Sequence, residues 1–248
     1  MFNLCQQLEP KEAERLTNCA CEIKFDGSRE AFIIKEGKVI KMNNRTGLDN
    51  LNKYPQFKED FKSHSAILDS EVVVFKGLKT HLTWLQEKQN WNKAKAVVFD
   101  ILFLDGKDLR GLAWRERREI LENLMAELQL KNFLLSPLFS DFKSAWAWVQ
   151  REQTEGLVLK NKDSKYIIGR TWYKIKKWHE QNIPFNKYEN SLGGIVLLKD
   201  GLRVAMNGND YEEVKTKIDK GETITATIQY LEKTKNGMLR FPSLKEWR

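Results

Sequence analysis

The sequence predicts an α+β protein, with a mixed domain over residues 1–182 and a small β domain over residues 183–248. Three observations support this fold class. Two runs rich in valine, isoleucine and phenylalanine, Ile67–Phe75 and Ala96–Leu104, are typical of buried strands. The stretch Leu112–Leu130 places its apolar residues on one face of a helix. Beyond the boundary, the pattern changes to short strands separated by glycine turns.

The mixed domain is predicted to contain several further elements. They are a helix at Pro10–Asn18, strands at Cys21–Phe25, Ala31–Ile34, Val39–Met42, Gly156–Lys160 and Trp172–Trp178, and a second helix that ends near Glu152. A Glu-Gly-Lys turn joins the second and third of these strands into a hairpin. Asp141 is expected to cap the second helix, because its carboxylate can accept from free backbone N–H groups.

Residues 180–190 are polar, contain Pro184 and show no periodicity, and are therefore interpreted as a linker. The residues that follow predict a small β-barrel, because short strands alternate with Asp-Gly and Asn-Gly turns. The predicted strands are Ile195–Leu198, Arg203–Ala205, Thr223–Leu231 and Met238–Phe241.

Composition narrows the classes of function. Hydrophobic residues make up 41% of the 248 residues, which argues against disorder. The net charge of +8 favours a polyanionic partner, either nucleic acid or an acidic membrane surface. No apolar run reaches the ~18 residues that cross a bilayer, and no signal peptide is recognised, so an intracellular protein is expected. Three cysteines without zinc spacing and three scattered histidines predict no zinc or histidine metal site.

The segment Glu22-Ile-Lys24-Phe-Asp26-Gly27-Ser-Arg29 carries the strongest chemical signal. Lys24 is expected at the end of a strand, where the Asp-Gly turn brings its amine to the rim of a sheet. Arg29 is expected to lower the pKa of Lys24, because a neighbouring positive charge disfavours the ammonium form. A neutral lysine amine is a nucleophile that can attack phosphorus. An ordinary surface turn is the alternative interpretation of these eight residues alone.

Other charged residues occur within or beside predicted strands. They are Glu71 in Leu68–Phe75, the Phe99-Asp100 pair, Glu155 before Gly156–Lys160, and Lys174 and Lys176 in Tyr173–Trp178. The two lysines stand at positions i and i+2 and therefore point to one face of a strand. Buried charges are costly unless they are paired or bind a ligand. An ion pair explains one such residue, whereas the combination indicates a site for phosphates, a divalent cation and a flat base.

These motifs and their order resemble those of the ATP-dependent DNA ligases, members of the covalent nucleotidyltransferase superfamily. KFDGSR is similar to the family's nucleophile motif, Lys-x-Asp-Gly-x-Arg, and Arg45-Thr46-Gly47 to the next element. LDSEVVVF, VVFDIL, EGLVLK and WYKIKK follow in order, and LRFPSLKEWR resembles the start of the last motif. The resemblance implies a nucleotidyltransferase (adenylation) domain of antiparallel sheets with flanking helices, followed by an OB-fold β-barrel.

The resemblance also implies a role for each matching residue. Lys24 would attack the α-phosphate of ATP, form a lysine–AMP phosphoramidate and release pyrophosphate. Glu22, Ile23 and Phe99 would recognise the base, and Arg29, Arg45 and Glu71 would contact the sugar or the phosphates. Glu71 and Glu155 would bind Mg²⁺ or Mn²⁺. Lys174 and Lys176 would neutralise the α-phosphate. Asp26 would lie near the 3′-OH of the DNA and matter most in the sealing step.

This chemistry agrees with the residue types. Lysine suits a nucleophile better than arginine, because arginine stays protonated. Phosphoryl transfer needs in-line geometry and neutralised oxygen charge, which lysines and a metal ion provide. Lys174, Lys176, Arg29 and the metal ion are all expected to lower the pKa of Lys24. Neither GxxxxGK[ST] nor GxGxxG occurs, so ATP is not expected on a P-loop or a Rossmann turn.

The C-terminal motif is short. Arg240 and Arg248 match it, and in the family this region orients the pyrophosphate leaving group. The sequence ends at Arg248, where many relatives continue. We therefore expect loss of residues 240–248 to impair adenylation of Lys24 and to spare sealing of a pre-adenylated nick.

Nicked duplex DNA is the expected partner of a monomeric protein. Few residues precede Lys24, so no separate N-terminal DNA-binding domain is expected, and the β domain has little room for a long inserted hairpin. DNA contacts would come from basic faces, mostly through phosphates, and would be sensitive to salt. Lys162, Lys165 and Arg170 are candidates on one loop, with a solvated charge run as the alternative for each.

Three other classes of function compete with this prediction. An RNA ligase or an mRNA-capping guanylyltransferase would use the same lysine chemistry. Glu22 and Phe99 favour adenine over the guanine of capping enzymes, and the RFP-type terminus favours DNA ligases over RNA ligases. An NAD-dependent ligase would need a nicotinamide-binding module and usually a cysteine zinc site. A degenerate nucleic-acid-binding relative would not need every catalytic position to be filled.

Overall fold

The computed structural model describes residues 2–208, 210–234 and 236–248. The chain forms two compact units, Met1–Lys176 and Lys177–Arg248. Within the described residues, no helix is both long enough and apolar enough to span a membrane.

The N-terminal unit is built mostly of strands. Its strands are β1 (Leu4–Gln7), β2 (Cys19–Lys24), β3 (Ser28–Lys35), β4 (Lys38–Asn44), β5 (Ala66–Val73), β6 (Phe75–Lys76), β7 (Lys79–Thr80), β8 (Lys95–Leu104), β9 (Lys107–Asp108), β10 (Phe133–Leu135), β11 (Leu138–Phe139), β12 (Gly156–Asn161) and β13 (Arg170–Lys176). Its helices are α1 (Pro10–Ala13), α2 (Leu82–Gln86), α3 (Trp114–Leu128) and α4 (Phe142–Glu152), with 3₁₀ turns at Leu51–Lys53, Pro55–Phe57 and Lys88–Lys93.

Two sheets organise this unit. One has five strands in the order β1-β13-β12-β2-β11, and the other follows the order β10-β8-β5-β3-β4 with β9 beside β8. The antiparallel hairpin of β3 and β4 agrees with the sequence prediction. Two pairs are parallel, β1 with β13 and β10 with β8. The prediction of antiparallel sheets missed these pairs because each joins strands that no tight turn connects.

Helices cover the outer face of each sheet. On the six-stranded sheet, Leu121 and Leu124 of α3 are buried in a cluster with Phe32 and Leu68. Burying a side chain of this size stabilises the fold by about 1.5–3 kcal/mol, so the helix fixes the sheet firmly. The N-terminus of the other helix, α4, is capped as predicted, because Asp141 Oδ1 accepts from the Ser144 backbone N–H at 2.8 Å.

The inner faces of the two sheets meet in a small apolar cluster. Leu102 from the six-stranded sheet, Trp172 from the five-stranded sheet and the loop residue Tyr166 are buried there, with Phe99 and Val158 packed against them. This contact holds the sheets face to face and leaves room between them at the ends of β2 and β13.

The C-terminal unit has two small sheets around one core. Its elements are β14 (His179–Phe185), β15 (Tyr188–Ser191), β16 (Gly194–Lys199), β17 (Leu202–Asn207), α5 (Tyr211–Asp219), β18 (Ile224–Tyr230), β19 (Glu232–Lys233), β20 (Leu239–Arg240) and β21 (Ser243–Trp247). The sheets follow the orders β14-β18-β21 and β15-β16-β17, and β19 pairs with β20. This is an arrangement of OB-fold type, although hydrogen bonds among the described strands do not close it into one barrel.

One sequence prediction for this unit is wrong, and one element was missed. Residues 180–190 are strands and not a linker, because Ile183 and Phe185 alternate with exposed residues and face the core. Pro184 is tolerated because β14 is an edge strand, where its missing N–H removes no ladder bond. Helix α5 was not predicted. Its core contacts are Val214 and Ile218, one helical turn apart.

Candidate active site

A cavity of about 520 Å³ opens between the two sheets of the N-terminal unit. It brings together most of the residues that the sequence singled out. Of these, the cavity wall contains Glu22, Ile23, Lys24, Asp26, Arg29, Arg45, Glu71, Phe99 and Lys174. Glu155 and Lys176 lie next to this wall, because Glu155 contacts both Lys24 and Lys176.

The register of three strands places the lysines on one face. Lys24, the last residue of β2, is opposite Gly156 of β12, and Gly156 is opposite Lys176 of β13. Two residues along, Val158 stands between Glu22 and Lys174 in the same way. Because side chains alternate along a strand, all of these point to the face that lines the cavity.

Two glycines permit the close packing of this site. A Cβ on Gly156 would lie 1.9 Å from the Ile175 carbonyl oxygen, and its φ of +152° is one that L-residues rarely adopt. A Cβ on Gly27 would lie 2.2 Å from the Val72 carbonyl oxygen. Both positions require glycine, and both adjoin the residues around Lys24.

Lys24 is held among carboxylates. Its Nζ donates to Glu155 Oε2 at 2.8 Å. Burial alone would lower the pKa of Lys24, but the negative charges of Glu155, Glu71 and Asp26 outweigh it, so the pKa is raised above its ordinary value. The predicted lowering of the Lys24 pKa is therefore wrong in this structure. The sequence identified the basic residues of the site, but it did not indicate that the carboxylates would be the groups that determine the pKa of Lys24.

Glu71 and Lys176 complete the charge cluster. Burial raises the pKa of Glu71 to about 7; Lys24 and Arg29 oppose this shift, and Glu155 reinforces it. The Gly27 N–H donates to Glu71 Oε1 at 3.1 Å. Lys176 Nζ lies 3.8 Å from Glu155 Oε1. Burial lowers the pKa of Lys176, the attraction of Glu155 opposes the shift, and Lys24 and Lys174 add to it.

Arg29 is paired with a buried carboxylate that the sequence analysis did not single out. Its Nε and Nη2 donate to the two carboxylate oxygens of Asp69 at 2.9 and 2.6 Å, and Asp69 is fully buried. The Tyr166 hydroxyl also donates to Asp69, at 2.7 Å. The Arg29 guanidinium carbon lies 5.2 Å from the centre of the Phe99 ring. Arg29 therefore forms a rigid wall of the cavity, and its positive charge is paired with Asp69.

A β-bulge turns Phe99 into the cavity. Asp69 is opposite Asp100 while Ser70 is opposite Val98, so Phe99 is the extra residue on β8. Asp100 lies on the other face of the strand. There it receives two hydrogen bonds from Arg117, each 2.8 Å long. This bidentate pair anchors β8 to α3 and fixes the position of the neighbouring aromatic ring.

Glu22 is buried and paired with Lys160. Lys160 Nζ donates to both oxygens of Glu22 and to the Phe99 carbonyl, each at 3.0 Å, and the Ser136 hydroxyl donates to Glu22 at 3.2 Å. Burial raises the pKa of Glu22 in spite of Lys160. Sequence reasoning missed Lys160 and Asp69 as site residues, although both lie within motifs that it quoted.

Asp26 and Arg45 both line the cavity. Asp26 Oδ2 accepts from the Leu82 N–H at 3.2 Å, and its own N–H donates to Thr80. Arg45 is exposed in the turn that follows β4. That turn is held by Asn44, whose side chain accepts from the Thr46 N–H at 3.0 Å.

The two C-terminal arginines belong to the other unit. Arg240 Nη1 donates to Glu232 Oε1 at 2.8 Å, across the β19–β20 pair. The backbone of Arg248 pairs with Thr225 next to β21. Their predicted contribution to adenylation stays a prediction.

Two packed sheets around a lysine-centred cavity define a nucleotidyltransferase domain. The model of one family, the ATP-dependent DNA ligase domain, matches residues 3–176. The chain belongs to this family, which confirms the resemblance drawn from the motifs.

Individual relatives agree with this assignment. LigD of Mycobacterium tuberculosis (strain ATCC 25618 / H37Rv), a multifunctional non-homologous end joining DNA repair protein, is 32% identical over 183 residues, which are 71% of this chain and 24% of LigD. The chain thus spans about a quarter of that protein's length. The SPbeta prophage-derived DNA ligase-like protein LigB of Bacillus subtilis (strain 168) is 23% identical over 96% of each chain.

Solved structures support the fold. The ligase domain of M. tuberculosis LigD superimposes with a TM-score of 0.68 and 24% identity, over the whole of this chain and 94% of that one. A Lig E DNA ligase gives a TM-score of 0.69 at 17% identity, over the whole of this chain and 98% of that one. The predicted fold class, a nucleotidyltransferase domain with an OB-type domain, is confirmed.

Proposed function

We propose that this protein is an ATP-dependent DNA ligase that joins a 3′-OH to a 5′-phosphate at a nick in duplex DNA. One observation carries the proposal. Lys24 lines a cavity large enough for a nucleotide, its Nζ lies 2.8 Å from Glu155 Oε2, and most of the other motif residues of this unit line the same cavity. Membership of the ligase family supports the same reaction.

In the first step, the neutral amine of Lys24 attacks the α-phosphorus of ATP. The new N–P bond forms as the bond to the bridging oxygen breaks, pyrophosphate leaves with the electron pair, and the amine loses a proton. Glu155 Oε2, at 2.8 Å, is the hydrogen-bonded acceptor for that proton in this structure. Lys174 and Lys176, on the same strand face, neutralise the charge on the α-phosphate oxygens.

The base pocket is formed by Phe99 and Glu22. The ring of Phe99 offers a flat surface for stacking. Glu22 has four acceptor positions, and Lys160 and Ser136 occupy three of them. The remaining position on Oε1 accepts a hydrogen from the amino group of adenine. Guanine presents an oxygen at that place, so the pocket favours ATP over GTP.

In the later steps, AMP passes from Lys24 to the 5′-phosphate of the nick, and the 3′-OH then displaces AMP. Asp26 acts in this last step, close to the 3′-OH. Arg29 holds the ribose or phosphate side of the nucleotide from its fixed position on Asp69. Arg45, exposed at the opening, contacts the phosphates.

The site also fits a magnesium ion. Glu71 and Glu155 are carboxylates near the same lysine; burial raises the pKa of Glu71, and the negative charge of Glu155 adds to that rise. Hard oxygen donors of this kind are the ligands that Mg²⁺ or Mn²⁺ prefers. When bound, the ion supplies positive charge next to the transferring phosphate. Glu71 and Glu155 would hold it.

The test determines which nucleotide forms the adduct and which kind of polynucleotide nick is sealed. The protein is incubated with α-labelled ATP or GTP and Mg²⁺, and then with nicked DNA/DNA, RNA/DNA or RNA/RNA duplexes, with Lys24→Ala as the control. We expect label transfer from ATP only and sealing of the DNA/DNA nick. Labelling from GTP alone, or sealing confined to RNA, would replace this proposal with a capping-type or RNA-ligase function.

A further inference from the structure

The loop between β12 and β13, residues 162–169, is firmly attached to the N-terminal unit. The Tyr166 N–H donates to the Arg110 carbonyl at 3.0 Å, and the Tyr166 ring is buried. At the start of the loop, the Lys162 N–H donates to the Asn18 carbonyl at 2.9 Å. The Leu4 N–H donates to the carbonyl of Gly169 at its end. The loop therefore has a fixed shape.

Despite these attachments, the loop holds two isoleucines in solvent. Ile167 is 54% exposed and Ile168 is 65% exposed. Within the described parts of the chain, this is the one place where two large exposed apolar residues are consecutive. Single exposed apolar residues are common on protein surfaces, but a fixed pair of them indicates a contact surface.

Positive charge surrounds this pair. Lys162, Lys165 and Arg170 form no salt bridge with any residue in the described part of the chain. The loop's own acid, Asp163, is already bound to Arg115 at 2.6 Å. The uncompensated cations match the phosphates of a polyanion.

The loop also lies at the mouth of the cavity that holds Lys24. Arg170, the residue after the loop, lines that cavity. Ile168 is two residues away, so less than about 8 Å of chain separates them. A nick positioned for reaction with Lys24 must therefore pass close to the two isoleucines.

We propose that Ile167 and Ile168 enter the minor groove of the duplex at the nick while Lys162, Lys165 and Arg170 hold its phosphates. This inference rests on the proposed DNA ligase function and adds a means of recognising nicks. Aliphatic side chains open base steps from the minor groove in other DNA-binding proteins. A nick removes one covalent link between stacked base pairs, so opening that step costs less there than in an intact duplex.

The test compares three double variants. Ile167→Ser with Ile168→Ser removes the apolar pair, and Ile167→Leu with Ile168→Leu keeps it. Ile40→Ser with Leu134→Ser is the matched control, because both residues are exposed in the same unit and neither lines the cavity. Three quantities are measured: the rate of AMP-adduct formation, the Kd for nicked and intact duplex, and the fluorescence of 2-aminopurine placed at the nick.

We expect the serine variant to form the AMP adduct at the normal rate and to bind nicked DNA ~10-fold more weakly, the loss expected for two partly buried side chains. It should also abolish the rise in 2-aminopurine fluorescence that the wild type and the leucine variant produce. An unchanged Kd for the nick in the serine variant would overturn the proposal. So would a change in the protein's assembly state with an unchanged Kd, which would assign the isoleucines to a protein contact. Failure of the ligase function itself would be distinguishable, because no AMP adduct would form in any variant.

Discussion

Lys24 Nζ lies 2.8 Å from Oε2 of Glu155, so the proposed nucleophile is hydrogen-bonded to one of the carboxylates proposed to hold the metal. The contact arises because β2 and β12 pair with Lys24 opposite Gly156, next to Glu155. It keeps Lys24 an ammonium ion, because the raised pKa disfavours loss of the proton. Weakening this contact would lower the pKa of Lys24 and favour the neutral amine that attack requires.

The pH profile of Lys24 tests this relationship. Glu155→Gln removes the largest charge that raises the pKa of Lys24, while burial still lowers it, so the pKa should fall. We expect acetylation of Lys24 by acetic anhydride, followed by mass spectrometry without ATP or metal, to shift by on the order of one pH unit towards acid. Glu152→Gln, a change in an acid paired with Arg151, is the control. If acetylation of Lys24 had the same pH profile in the Glu155 variant as in the wild type, the electrostatic account would be refuted.

The bond between Arg29 and Asp69 should stabilise the N-terminal unit. Asp69→Asn removes the charge that balances a guanidinium held in the interior, where the Asp69 side chain is fully buried. Breaking a buried pair in this way costs about 3–5 kcal/mol. Urea unfolding measures the loss. Asp108→Asn disrupts an exposed pair with Arg110 and should cause a much smaller change. If the free energy of unfolding fell by the same amount in both variants, the importance assigned to Asp69 would be contradicted.

Glu30 gives the unit a predictable pH dependence. Ser28 and Asn50 donate to its Oε1, whereas Oε2 has no hydrogen-bond partner among the described residues. Burial raises the pKa of Glu30 from 4.5 to about 7. The folded state therefore binds the proton more tightly than the unfolded state, and stability is lost as the pH rises through this range.

We expect Glu30→Gln, which cannot ionise, to increase the free energy of unfolding at pH 8 by on the order of 1–3 kcal/mol relative to wild type. At pH 4.5 the gain should disappear. Urea titrations at both pH values provide the measurement, and the exposed Glu119→Gln controls for the loss of one carboxylate. A gain of the same size at both pH values would rule out ionisation of Glu30 as its cause.

The C-terminal arginines should act in one step only. Deletion of residues 240–248 would remove β21, which pairs with β18, so single substitutions are the better test. Arg240→Ala and Arg248→Ala should slow AMP-adduct formation ~10- to 100-fold and leave sealing of a pre-adenylated nick unchanged. Arg203→Ala, which breaks an exposed pair in the same unit, is the control. Equal loss of both steps in a folded variant would contradict the assigned role.

The fold could be predicted where its signal is local. The apolar runs of β5 and β8 and the amphipathic pattern of α3 mark buried elements directly, and Asp141 marks the start of α4. Strand β14 was missed because only Ile183 and Phe185 are buried within a polar segment. The parallel pairing of β1 with β13 depends on residues far apart in the chain.

The candidate site was also predictable from the sequence only in part. The motifs identified the residues that the fold brings to one cavity, but they did not reveal which charge neutralises which. Asp69 binds Arg29, and Lys160 binds Glu22, because of strand register and the packing of two sheets. For the same reason the sequence predicted the wrong direction for the pKa of Lys24, whose nearest partner is Glu155.

The most direct test of the central claim is the mass of the protein after incubation with ATP and Mg²⁺, with the adduct located by peptide mapping. We predict a gain of one AMP on the peptide that contains Lys24, and no gain in Lys24→Ala. An adduct on another lysine, or none under any ATP and Mg²⁺ or Mn²⁺ condition, would contradict the account.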